Sequence, residues 1–338
     1  MKRNFDNMLK LTIASGTFGK YAPEVIEILS RYFTEIKRVR LSNDMSDEEI
    51  AEKLENADVV IIGGLGRISK GVIERTPALK LVAKHGIGVD NIDVDAATRR
   101  GIPVIYCRHT MEERSVAEHT IALILSAIRW IPKGDKLVKQ NKWIERSSLI
   151  GIELYGKTLG IIGLGAIGRI VAKIASRGFD MRVIAYDPYV PDEIFQELGI
   201  KRVDLETLLK TSDVITLHIP LTNETRGLLN RERLSLVKEG AVIVNTSRGA
   251  VIDESALAEK IKEGRIKFAA LDVMTHEPPK PDNPLLELDN VVITPHIAAY
   301  TFEALNRMDT ALTEDIISFL KGEKPKRVVN PEVFRVKT

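Results

Sequence analysis

The stretch LGIIGLGAIGRIVAKIASRG, residues 159–178, sets Gly163, Gly165 and Gly168 between a continuously apolar, β-rich run and an amphipathic helical pattern. Few chain paths meet that order. The first glycine allows a tight turn, the second lets backbone come close to a bound group, and the third lets the helix pack closely on the strand. Ala166 and Ile167 complete the turn, and the helix N-terminus that follows them suits a pyrophosphate. Asp187 ends the next β-like run, 19 residues after Gly168. An acidic group there accepts from a ribose 2′-hydroxyl and repels a 2′-phosphate, which points to NAD over NADP. Pro188 and Tyr189 follow it, with no arginine alongside. Adenosine-ligand methyltransferases use similar loops, so the motif restricts the fold more tightly than the reaction.

The glycine loop sits within a longer alternation. Apolar runs such as DVVIIGG and LKLVAKHG alternate with helical patterns such as SDEEIAEKLENA from Leu9 to about Tyr106. Runs apolar at nearly every position are those of parallel strands covered on both faces. Ser46 and Glu49 have capping-box spacing. A long helical segment covers 113–143, where Pro132 should kink or split it. The alternation resumes with strands at 158–162, 182–187, 213–218, 241–245, 267–272 and 291–294, and helices at 166–177, 192–198, 205–210 and 253–264. The last helix carries Leu305, Met308, Leu312, Ile316 and Phe319 on one face. The expected class is α/β, with two doubly wound parallel-sheet domains, as a chain of 338 residues favours.

Lysine and arginine total 49 against 47 acidic residues, interspersed, so neither nucleic acid nor an anionic membrane is an expected partner. Cys107 is the only cysteine, which excludes an intramolecular disulfide. With no signal-peptide pattern and no apolar run long enough to span a bilayer, a cytoplasmic protein is expected. The histidines show no HxxxH or HExxH spacing, so no metal site is expected.

Three further residues follow strands of the second alternation: Arg248 in NTSRG, Glu277 in THEPP and His296 in TPHIA. Ligands bind at that edge of an open parallel sheet. Singly, each has an ordinary explanation as a solvated or loop residue. Jointly, beside a dinucleotide loop, they fit hydride delivery to a 2-oxo acid: an arginine fork for the carboxylate, and a histidine to protonate the oxygen. Histidine has a reference pKa of about 6.5, so a carboxylate partner helps keep the donor protonated. His276 adjoins Glu277 in sequence, which makes it a poor relay partner.

GLGAIG, YDPY, LHIPLTNETRGLLN, VNTSRGAVIDESAL, LDVMTHEPP and TPHIAA together resemble the NAD-dependent D-2-hydroxyacid dehydrogenase family. KHGIGVDNID and SVAEHTIALIL are similar to its phosphoglycerate dehydrogenase branch. The resemblance runs over nearly the whole chain. It implies that Arg248 binds the substrate carboxylate, His296 is the acid/base and Glu277 tunes it. It also implies that Asp272 meets the nicotinamide carboxamide, Thr246 lies near that ring, and His218, Ile219 and Pro220 line the adenine side. Backbone N–H groups of Ile87 and Gly88 would hold the substrate carboxylate, while Lys84 and Arg67 could serve a phosphorylated substrate.

The implied architecture is a Rossmann NAD domain, 108–299, inserted into a flavodoxin-like substrate domain of 1–107 and 300–338, with hinges near 107 and 299. Homodimers through the NAD domain are implied, with the apolar face of 116–131 expected to be hard for a monomer to cover. The candidate acid that the KHGIGVDNID resemblance favours is 3-phosphoglycerate, with glyoxylate and hydroxypyruvate as the alternatives. A corepressor-like NAD-sensing scaffold shares the fold and the catalytic residue types, but such proteins carry extra unstructured tails that are not visible here. YCRHTMEERSVAEH departs from the family's usual approach to the long helix, and with no appended regulatory domain, serine feedback is not expected.

Overall fold

The computed structural model describes residues 9–335, which divide into two compact units: residues up to 112 with those from 300 onward, and residues 113–299. The first unit alternates β1 (Lys10–Ala14), α1 (Glu24–Leu29), β2 (Glu35–Arg38), α2 (Asp47–Lys53), β3 (Val59–Ile62), α3 (Lys70–Arg75), β4 (Leu81–Lys84), α4 (Val94–Arg99) and β5 (Val104–Tyr106). Its strands pair in parallel in the order β2-β1-β3-β4-β5. Every residue of β3 and β4 is buried, as in a sheet with helices on both faces. The Ser46 capping box is formed: its Oγ accepts from Glu49 N at 3.2 Å, and the Glu49 carboxylate accepts from Ser46 N at 2.7 Å. Because β1 lies between β2 and β3, the connections diverge there, and the crevice at the C-terminal edge is a natural ligand position.

Helix α5 (Glu112–Ile128) leads into the second unit, followed by α6 (Ile131–Lys139). The long segment is indeed split. Trp130 takes the left-handed conformation, φ 56°, and Pro132 falls in the first turn of α6, where no intrahelical N–H is needed. The expected bare face of 116–131 is largely covered: Ala117, Ile121, Leu123, Ile124, Ala127 and Ile128 join a core with Leu159, Ile161 and Phe268. Exposed apolar side chains lie further on, at Ile131, Val138, Trp143, Ile144, Ile150 and Tyr155.

The second alternation comprises β6 (Thr158–Ile162), α7 (Ala166–Gly178), β7 (Arg182–Tyr186), α8 (Asp192–Leu198), β8 (Lys201–Arg202), α9 (Leu205–Thr211), β9 (Val214–Leu217), α10 (Arg231–Leu236), β10 (Ala241–Asn245), α11 (Glu254–Lys262), β11 (Ile266–Leu271) and β12 (Val291–Ile293). All are parallel, in the order β12-β11-β10-β9-β6-β7-β8. The switch point is at β6, between β7 and β9, so the glycine loop emerges where a doubly wound sheet opens its crevice. The short β8 and α10 carry too few apolar residues to announce themselves in sequence.

The final helix, α12 (Phe302–Leu320), belongs to the first unit. Thr301 Oγ1 caps it by accepting from Ala304 N at 3.1 Å. Leu305, Met308, Leu312, Ile316 and Phe319 recur at helical spacing and pack with Leu11, Ile13 and Ile105. Each such burial contributes about 1.5–3 kcal/mol. Arg307 donates to the carbonyls of Thr110 at 2.9 Å and Met111 at 3.1 Å, which ties the residues after Cys107 to the first unit. No helix among the described residues is long and apolar enough to cross a membrane.

Candidate functional site

The three glycines meet three different constraints. A Cβ on Gly163, whose φ is +96°, would lie 2.5 Å from His218 O and 2.7 Å from Ile219 Cγ2. On Gly168 it would strike Gly163 O, so helix and turn could not close. On Gly165 it would meet nothing within 4 Å. The space over Gly165 is open. Gly165 is also the N-cap of α7 without a capping side chain, and the N–H groups of Gly165, Ala166 and Ile167 find no partner among the described residues. Unpartnered donors at a helix start fit a pyrophosphate, so this loop suits NAD.

Asp187 organises the rim of that loop. Its Oδ2 accepts from Leu164 N at 2.8 Å, and its Oδ1 accepts from Tyr189 N at 2.9 Å and Val190 N at 3.1 Å. A carboxylate has about four lone-pair sites, so capacity for a ribose hydroxyl remains. The absence of a nearby arginine holds only along the sequence. Arg202, from β8, donates to the Asp187 carbonyl at 2.8 Å, pairs with Asp192 and lies over the Phe195 ring. Parallel pairing places Arg202 opposite Ala185, a neighbour that sequence distance conceals.

His218 packs at the glycine turn, with Nε2 3.0 Å from Thr216 Oγ1 and Nδ1 buried without a partner among the described residues. Desolvation pushes its pKa down to about 3, which keeps the ring neutral. Ile219 is half-buried and Pro220 exposed beside it. Thr246 is buried, 2.9 Å from Thr120 through their hydroxyls.

After β10 the chain turns sharply around Asn245. Its Oδ1 accepts from Ser247 N at 2.9 Å and Ser247 Oγ at 2.8 Å, while its Nδ2 donates to Arg248 O at 2.8 Å. This turn projects Arg248, whose Nη1 is tethered to Ser247 O at 2.7 Å. Gly249 is required by close packing, since a Cβ there would collide with the backbone of Met274 and Thr275. The Arg248 turn and the loop carrying Glu277 are therefore in direct backbone contact.

His296 Nδ1 lies 2.8 Å from Glu277 Oε2, while Glu277 Oε1 accepts from Met274 N at 3.1 Å. The His296 side chain is 43% exposed, and its Nε2 has no partner among the described residues. Its backbone is left-handed, φ 54°, a conformation that is uncommon outside glycine. Asp272 holds it there. The Asp272 carbonyl accepts from His296 N at 2.8 Å, and its buried carboxylate accepts from Ile297 N and Ala298 N, both at 2.9 Å, and from Thr294 Oγ1 at 2.6 Å.

Burial raises the Asp272 carboxyl, but the hydrogen bonds from His119, Thr294, Ile297 and Ala298 outweigh it and hold the group below its ordinary range. His119, set aside in sequence because it lacks metal-ligand spacing, stands 3.1 Å from Thr294 Oγ1 and 3.4 Å from Asp272 Oδ1. His276 is exposed.

In the first unit, the N–H groups of Ile87 and Gly88 have no partner among the described residues, and Gly86 turns the chain into them at φ +138°. Lys84, however, is buried, and its ammonium donates to Gly63 O at 2.7 Å and Asn91 Oδ1 at 2.8 Å. Arg67 pairs with Asp47 at 3.0 Å.

A sequence model for the D-isomer specific 2-hydroxyacid dehydrogenase NAD-binding domain matches residues 121–298. The D-3-phosphoglycerate dehydrogenase of Methanocaldococcus jannaschii is 47% identical over 297 residues, covering 88% of this chain and 56% of that protein. The chain thus spans about half the length of that relative. The glyoxylate reductase of Korarchaeum cryptofilum is 41% identical over 295 residues, with 86% of this chain and 88% of that one covered. The D-lactate dehydrogenase of Aquifex aeolicus, solved with NAD and lactic acid, is similar with a TM-score of 0.83 at 32% identity, over 95% of this chain and 99% of that one.

Proposed function

The chain belongs to the D-isomer specific 2-hydroxyacid dehydrogenase family, and on that basis we propose that it reversibly reduces a small 2-oxo acid to the D-2-hydroxy acid. The observation that carries this reading is the Glu277–His296 pair at 2.8 Å, with the second ring nitrogen unpartnered and the ring partly exposed. NADH supplies a hydride when bound. Arg248 offers a substrate carboxylate a planar fork, which a lysine could not reproduce, and the first unit, by itself, offers an acid the N–H groups of Ile87 and Gly88. Glu277 fixes Nδ1–H of His296, so Nε2–H is the donor for the carbonyl oxygen. In the reverse direction the neutral ring takes the hydroxyl proton. Asp272 maintains the strained loop that presents His296, and Asp187 selects NAD.

In this reading residues 113–299 hold the coenzyme and the other unit holds the substrate. Lys84 and Arg67, the two cations named for a phosphate from the sequence, are engaged inside their own unit, which favours an unphosphorylated acid such as glyoxylate or hydroxypyruvate. Phosphohydroxypyruvate is the second reading, supported by the 47% identity to a phosphoglycerate dehydrogenase. The test is NADH oxidation, with NADPH in parallel, against glyoxylate, hydroxypyruvate, phosphohydroxypyruvate and pyruvate. Tight NADH binding without turnover on any acid would replace the enzyme with a sensor. A homodimer is part of the proposal, supported by the exposed Ile131, Val138, Trp143 and Ile144. Sedimentation of Ile144→Asp at rising concentration checks it. The cytoplasm is the proposed location, supported by a single, buried cysteine.

A further inference from the structure

A second histidine–carboxylate pair lies in the first unit, at the C-terminal edge of its sheet. His85 Nε2 and Asp309 Oδ1 are 2.8 Å apart, with side chains 3% and 0% exposed. The N–H is poorly aligned with the oxygen, so the contact is electrostatic more than a directed hydrogen bond. On its other side, Nδ1 faces Ser15 Oγ at 3.0 Å. The second oxygen of Asp309 accepts from Gly19 N at 2.8 Å. One imidazole therefore joins three segments distant in sequence: the loop after β1, the loop after β4, and α12.

Burying such a pair is costly, and a well-packed apolar substitute is often as stable or more so, so its presence calls for a geometric reason. Backbone bonds hold the chain only as far as Gly86: His85 N donates to Ile62 O at 2.9 Å, and Gly86 O accepts from Cys107 N at 3.0 Å. Beyond them come the N–H groups of Ile87 and Gly88, without a partner among the described residues. The side chain of His85 is the last fixed point before those donors. A nucleophilic serine relay uses the same three residue types, but here Ser15 is buried and its Oγ also faces Thr17 N and Phe18 N, at 3.5 and 3.4 Å.

We propose that His85, clamped between Asp309 and Ser15, is a positioning residue that aims the Ile87 and Gly88 N–H groups at the substrate carboxylate. The proposal rests on the dehydrogenase reading above, and its test separates the two. His85→Leu and Asp309→Leu should raise KM for the 2-oxo acid about ten- to a hundredfold, with kcat and the NADH dissociation constant each changed less than about threefold, because misaimed donors weaken substrate placement. Asp309→Asn keeps an oxygen to accept from Gly19 N but removes the charge facing the ring, so it should recover only part of the loss.

Amide exchange over residues 85–91 of the ligand-free protein, independent of any turnover, should be faster in both leucine variants. Lower thermal stability with unchanged KM and unchanged exchange would make the pair merely structural and overturn the proposal. If a leucine variant fails to bind NADH, Asp309→Asn and His85→Asn carry the test, and His85→Asn with parental KM and exchange would equally overturn it. Should the parent reduce no acid, the dehydrogenase reading fails and the exchange result still decides whether His85 orders the loop.

Discussion

Of the histidine–carboxylate pairs among the described residues, His296–Glu277 and His85–Asp309 share a 2.8 Å separation and differ in what surrounds them. His296 is 43% exposed, with one nitrogen bonded and the other unpartnered among the described residues, whereas both nitrogens of His85 face side chains in a buried interior. Pairing alone therefore does not mark a proton donor. The remaining nitrogen must be reachable, and the ring must be presented outward, which the left-handed backbone at His296 and the Asp272 clamp accomplish. The same contrast extends to the two sheet edges. The second unit's edge carries a partly exposed imidazole, while the first unit's edge buries its histidine and lysine and holds backbone N–H groups at Ile87 and Gly88 without a partner among the described residues.

The largest effect that could break this contrast is expected at His296. His296→Ala should lower kcat about 10²- to 10⁴-fold, the scale of a lost general acid, while NADH binding persists; a smaller loss in single-turnover reduction would move the proton donor elsewhere. Arg248→Lys should raise KM for the acid about ten- to a hundredfold, because a point ammonium replaces a bidentate fork. Near-parental affinity would remove Arg248 from the carboxylate site.

Lys84→Met sharpens the other side. It should lower stability by about 1–3 kcal/mol in denaturant melts, because Gly63 O and Asn91 lose a buried donor. A variant that stays stable yet loses substrate affinity would restore Lys84 to substrate binding. Asp187→Ala should shift kcat/KM about tenfold toward NADPH, helped by Arg202 close by. An unchanged ratio would place ribose discrimination outside this turn.

The smallest expected effect is in acid. Since the folded Asp272 carboxyl sits below its ordinary value, its stabilisation is complete at neutral pH and is lost as pH falls through that depressed value, below about pH 4. Asp272→Asn should therefore show a flatter decline of melting temperature there than the parent.

Much of this was legible because the signals are local. Glycine spacing, continuous apolar runs and helical periodicity in α12 each report on neighbours within a few residues. The Asn245 turn and the Glu277–His296 pair lie at strand ends, where the βα order already brought Arg248, Glu277 and His296 to one edge. What escaped depends on contacts across the sheet. Arg202 reaches Asp187 through strand pairing, and His119 reaches Thr294 from a helix 175 residues earlier in the chain. The commitment of Lys84 and the covered face of α5 are matters of burial, which side-chain type alone does not specify. Short elements such as β8 and α10 owe their form to neighbours more than to their own residues.

The placement of α12 also bears on how the protein is made. The N-terminal sheet emerges from the ribosome first, yet the helix that covers Leu11, Ile13 and Ile105 follows only after the whole second unit has been synthesised. Until residues 302–320 appear, that sheet face has only α1, through Val25 and Leu29, to cover it, and the nascent chain offers chaperones the remaining apolar surface through most of translation. The second unit, continuous in sequence, can finish folding while the first still waits for its last helix.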